Sequence, residues 1–107
     1  MQYDKDLESE FKELFLQARE ILMSHEGIVE TKKPRITTYS NIKGGICHLR
    51  TMPYGIDFGF LKGAKMKDAL GLLTGKGKAM RVLPLKQLNK EVIDYYIKQA
   101  IEINANK

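Results

Sequence analysis

Apolar residues recur at helical spacing over positions 4–25. Leu7, Phe11, Leu14, Phe15, Ala18, Ile21 and Leu22 form one stripe on an otherwise polar segment. Asp4, Asp6 and Glu8 crowd its beginning, where the helix macrodipole favours negative charge, and Gly27 supplies a stop. The pattern predicts a single amphipathic helix. Residues 28–33 follow no clear period and end at Pro34, after which the period shortens to two. Positions 36–40 are β-branched and aromatic, 46–52 alternate up to Pro53, and 56–61 make a third strand-like run. The connections at 41–45 and 54–55 are too short for a crossover, so these strands are expected to pair antiparallel.

A glycine-rich stretch follows, with a short helical segment expected at 67–73, a turn at 74–78 and a strand at 79–85. Pro84 suits the end or edge of that strand. Asn89 is a plausible N-cap for a last helix over 89–104, whose apolar face is Val92, Ile93, Tyr96, Ile97, Ala100 and Ile101. The order predicts an α+β fold: an antiparallel sheet of four to five strands with the N- and C-terminal helices packed on one face. Phe11, Leu14, Ile21, Leu22, Phe58, Phe60, Val92, Tyr96 and Ile97 are expected to supply much of the core.

A chain of 107 residues fits one domain, 1–107, large enough to bury a core without disulfides. Cys47 stands alone, and neither CxxC nor HxxxH spacing exists to hold zinc. No apolar run approaches the length of a membrane span and no secretory pattern opens the chain, so a cytoplasmic protein without membrane contact is expected. Charge changes the picture more. Residues 1–30 hold eight carboxylates against three bases, whereas residues 31–90 hold thirteen bases against Asp57 and Asp68 alone. Such polarity can steer anionic partners, or arise when an acidic helix lies near basic loops of its own fold.

The glycine turn does not make a phosphate loop. Gly71 to Gly75-Lys76 has three intervening residues instead of four, and Gly77 stands where Ser or Thr would reach magnesium. A weak anion nest of this backbone with Lys76, Lys78 and Arg81 is the alternative to a purely conformational role for the glycines. Cys47 and His48 are adjacent on a strand, so they face opposite ways and form no dyad. Asp57 is positioned for a polar cluster with His48 or Arg81 on the open side of the sheet. No nucleophile, base and orienting group assemble from these spacings, which predicts a non-catalytic protein. The basic middle lacks the stacking aromatics of RNA-binding sheets, since Phe58 and Phe60 read as core; nucleic acid is therefore not the expected partner.

Gly59-Phe60-Leu61-Lys62-Gly63-Ala64 followed by Gly71-Leu72-Leu73-Thr74-Gly75-Lys76-Gly77-Lys78-Ala79-Met80-Arg81 resembles the late signature of the YdhG-like family, small bacterial domains of unknown function. Glu30, Lys33, Thr38 and Tyr39 match an earlier family segment, whose Trp, Gly and Pro positions hold Pro34, Arg35 and Thr37 here. The resemblance implies a compact α+β domain akin in architecture to frataxin. Some relatives are described as iron chaperones, which implies weak iron binding or delivery as one function. Ferrous iron accepts carboxylate oxygen, and Glu10, Glu13 and Glu20 on the first helix are the candidate ligands. A charged face is also what any amphipathic helix presents to water. The alternative function is a non-catalytic module that binds an anionic small ligand or a protein partner through the basic 62–81 region.

Overall fold

The computed structural model describes residues 1–106. Five strands, β1 (Val29–Lys32), β2 (Thr37–Asn41), β3 (Gly44–Met52), β4 (Gly55–Phe60) and β5 (Arg81–Leu85), form one antiparallel sheet in chain order. Helices α1 (Gln2–Glu8), α2 (Lys12–Met23) and α3 (Lys90–Ala105) pack on one face, giving the expected α+β architecture. Alternation decides which side chains they cover. Tyr39, Cys47, Leu49, Ile56, Phe58, Phe60 and Leu83 are fully buried against Phe15, Leu22, Ile93, Tyr96 and Ile97 from the helices. Phe58 and Phe60 lie in this core as expected, their rings stacked at 5.9 Å, with Tyr96 6.1 Å from Phe60.

The register shifts between Tyr39 and Ser40, whose partners are Cys47 and Gly45, so Ile46 is an extra residue on β3. This bulge lets Ile46 and Cys47 both turn inward. His48, Arg50, Asp57, Gly59 and Val82 occupy the opposite parity and form the face that carries no helix.

Four expectations need correction. The first helix is two. Ser9 is extended and its hydroxyl accepts from Phe11 N at 3.0 Å, a local bond that competes with helix continuation. The break also lets Asp6 turn fully inward, where Oδ1 accepts from Thr51 N at 3.0 Å and Thr51 Oγ1 at 2.8 Å. Phe11, which now caps α2, is only partly buried and lies outside the core cluster. Residues 67–73 are not helical: Asp68 Oδ1 takes the Leu72 and Leu73 N–H groups, and Gly71 adopts φ +67°. A 3-10 turn, Gly63–Lys65, precedes them instead. The last strand begins at Arg81 rather than Ala79, while the ambiguous segment before Pro34 supplies β1. Asn89 caps α3 as expected, accepting from Val92 N at 3.1 Å.

Candidate functional site

The chain leaving β4 crosses to α3 and is clasped there. Gln99 receives Lys67 N on Oε1 at 2.8 Å and donates through Nε2 to Lys67 O at 3.0 Å, so one side-chain amide satisfies both backbone groups of one residue. Tyr95 OH also donates to Lys67 O, at 3.3 Å. One step on, Tyr96 OH donates to Asp68 Oδ1, and the carboxyl is held below its usual range by that bond and by the Leu72 and Leu73 N–H groups. Tyr96 is correspondingly pushed up to about 12, by burial and by Asp68. These bonds fix the segment 67–73, which lies outside every helix and strand, while Thr74 beyond it bridges to Val82.

Between this loop and α3 lies a cleft of about 510 Å³ lined by Lys62, Lys65, Lys67, Tyr95, Gln99 and Glu102. Three ammonium groups thus share one concavity with a single carboxylate. Lys62 Nζ donates to Asn104 Oδ1, and Asn104 Nδ2 reaches Gly45 O at 3.0 Å, which ties that wall to β3. Lys65 and Lys67 are exposed and, among the described residues, form no ion pair. Such a cleft can receive an anion through the lysines, with Tyr95 and Gln99 shaping one wall. The basic run was visible in the sequence; Tyr95 and Gln99 were missed. Their only signal is a pair of polar-tipped residues four apart on the last helix, which face the same way.

The other sequence candidates fall elsewhere. Arg81 is committed to the glycine loop, its Nη1 donating to Gly77 O and to Met80 O at 2.8 Å. Lys76 and Lys78 are exposed beside it. Glu10 sits in the turn between α1 and α2, and Glu13 and Glu20 are seven residues apart, about 10 Å along the helix axis. Among the described residues no group of three or more His, Cys, Asp or Glu side chains could hold a metal ion. Cys47 is buried, which raises its thiol pKa, and lies on the opposite face from His48. His25 Nε2 lies 2.9 Å from Asp94 Oδ1, joining α2 to α3, and Lys90 Nζ lies 2.6 Å from Asp94 Oδ2. Asp57 and His48 do border one hollow on the open sheet face, without Arg81.

Fold and site together define an α+β protein built on a five-stranded antiparallel meander, with a lysine-lined cleft beside its last helix. Comparison with protein-family models, with curated proteins and with solved structures finds no match for this chain. No helix among the described residues is long and apolar enough to cross a membrane.

Proposed function

We propose that this protein is a non-catalytic binding module that takes a small multivalent anion in the cleft between residues 62–67 and α3. The observation that carries the reading is the convergence of Lys62, Lys65 and Lys67 on one concavity whose far wall is held by the Gln99 clasp. The carboxylates elsewhere support binding over acid–base chemistry, because they already act as acceptors within the fold. Glu30 receives Arg19 and Tyr39, Asp57 receives Tyr54, and Asp68 receives Tyr96. Lysines act here as point charges, so the ligand is recognised by charge and size more than by directional bonds.

Calorimetric titration with citrate and with pyrophosphate tests this. Saturable binding that weakens as salt is added is expected. The double variant Lys65→Gln/Lys67→Gln is expected to lose affinity about tenfold or more, as two charged hydrogen-bond donors are removed. Its melting temperature should stay close to that of the parent, since both side chains are exposed. Absence of saturable heat with either anion, or undiminished affinity in the double variant, refutes the reading.

A further inference from the structure

The face of the sheet without helices is not flat. A hollow of about 290 Å³ opens over Gly59 and Val82, with Arg35, His48, Arg50 and Asp57 around it. Gly59 creates the depression because a β-carbon there would stand 3.2 Å from Met80 Cε and 3.7 Å from His48 Cβ. The walls near Met80 and Val82 are apolar, whereas the rim carries the two guanidinium groups of Arg35 and Arg50 and the carboxylate of Asp57.

The state of the two arginines is informative. Arg50 and Asp57 are direct cross-strand partners on this face, the arrangement in which opposite charges ordinarily pair. Asp57 instead accepts from Tyr54 OH, and no ion pair joins it to Arg50. Among the described residues Arg35 likewise has no carboxylate partner. Two guanidinium groups therefore border a concavity without a direct carboxylate contact, and Asp57, the carboxylate among its lining residues, is engaged by Tyr54. A second hollow of about 330 Å³ shares His48 and adds Lys33. Burial, and then the charges of Lys33 and Arg50, lower the pKa of His48.

We propose that this hollow is a second binding site, for a small organic acid whose oxyanion head is held by Arg35 and Arg50 and whose apolar body lies on Gly59, Val82 and Met80. A guanidinium presents a planar fork suited to carboxylate, and the neutral floor favours a hydrocarbon body over an inorganic ion. The site is separate from the lysine cleft: the two share no lining residue.

The ring-proton signals of His48, followed by NMR on the full chain, give the readout. His25, paired with Asp94 on the helical side, serves as internal control. Hexanoate is expected to shift the His48 signals saturably and to raise the pH at which they titrate, because an anion beside the ring favours the charged imidazole. The His25 signals should stay in place. Hexanol, with the body and no head, and inorganic phosphate, with a head and no body, should each bind about tenfold more weakly or worse. Arg50→Gln should weaken hexanoate about tenfold, and Arg35→Gln provides a second, independent variant on an exposed loop. Lys65→Gln/Lys67→Gln should leave the response intact, which separates this site from the cleft. The proposal is overturned by a non-saturable response, by equal binding of hexanol or phosphate, or by unchanged affinity in both arginine variants. Displacement of hexanoate by a short oligothymidylate at lower concentration overturns it too, in favour of a single-stranded nucleic acid.

Discussion

Replacing Glu30 by alanine probes an ionic cluster that binds the edge of the sheet to the helices. Glu30 sits on β1 with its side chain 10% exposed, and Arg19 on α2 grips it through Nε at 2.6 Å and Nη2 at 2.9 Å. Tyr39 OH donates to Glu30 Oε2 at 2.8 Å from across the β1–β2 pair, and Tyr39 is fully buried. Arg19 and Lys32 also lie over the Tyr3 ring, at 5.6 and 3.9 Å from its centroid. Truncation leaves the Tyr39 hydroxyl buried without an acceptor, at a cost of about 1–3 kcal/mol. Loss of the ion pair adds about 1 kcal/mol, discounted because Arg19 is 30% exposed and can rehydrate. A total of about 2–4 kcal/mol corresponds to a melting temperature lowered by about 10–25 °C for a chain this size. Tyr39→Phe removes the hydroxyl without stranding anything and should cost about 1 kcal/mol. The double variant should therefore be less destabilised than the two singles combined, as measured by urea unfolding. A Glu30→Ala loss below about 0.5 kcal/mol, or strict additivity, refutes the reasoning.

The same cluster sets a pH dependence. Arg19, and then Tyr39, hold the Glu30 carboxyl below its ordinary pKa, against the opposing effect of burial. A depressed folded-state pKa means that the unfolded chain binds the proton more readily. The contribution is fully present above the unfolded value of about 4.3 and is lost as pH falls through the lower folded value. Asp68 and Asp94 are depressed in the same direction, by Tyr96 and by Lys90 respectively. Stability of the parent should thus fall below about pH 4, and Glu30→Gln should flatten part of that slope.

Two further predictions concern packing. Gly63→Ala should cost about 2–3 kcal/mol, because its β-carbon would stand 2.5 Å from Arg81 Cβ and 2.7 Å from Arg81 N, whereas Gly59→Ala is tight only against the flexible end of Met80, with His48 at ordinary contact distance, and should cost under about 1 kcal/mol; equal melting temperatures for the two variants would contradict this. Phe58→Ala should cost about 3–5 kcal/mol in chemical unfolding, as the ring projects from β4 and is fully buried beneath the helices.

The elements legible in the sequence are those whose pattern is set by burial alone. Phe58 and Phe60 alternate on β4, and the Val92–Ile101 stripe repeats on α3, because each faces one continuous core. The elements that escaped depend on single distant partners. Nothing local announces that Asp6 will meet Thr51, forty-five residues on, and that contact accompanies the break between α1 and α2. The apolar spacing of Leu70, Leu72 and Leu73 suggests a helix, yet Asp68 is drawn to Tyr96 and caps the same N–H groups the helix would have used. β1 shows no alternation because only Glu30 on it is even partly covered. At the cleft the lysines were countable in advance, but the bonds by which Gln99 holds the Lys67 backbone against α3 were not, nor was the engagement of Arg81 Nη1 by two loop carbonyls.

The charge asymmetry acquires a physical meaning once these partners are known. Asp6, Glu30, Asp57, Asp68 and Asp94 are spent as acceptors inside the fold, most of them from residues remote in sequence. The ion pairs among the described residues engage Arg19, His25, Lys90 and the N-terminal amine. Arg35, Arg50, Lys65 and Lys67 border concavities without an ion-pair partner among the described residues, although Glu102 and Asp57 each line one of them. Exposed charges of this kind attract anions only modestly and are screened beyond about 10 Å at ordinary salt. Charge alone therefore cannot give either concavity selectivity. That must come from the neutral surfaces between the charges, and these differ: Tyr95, Gln99, Ile103 and Asn106 on and beside α3 border the lysine cleft, whereas a bare glycine, a valine and a methionine floor the arginine hollow. If the two proposed readings hold, a hydrophilic polyanion occupies the first and a carboxylate with a hydrocarbon body the second, so exchanging the two ligand types should exchange the sites they occupy.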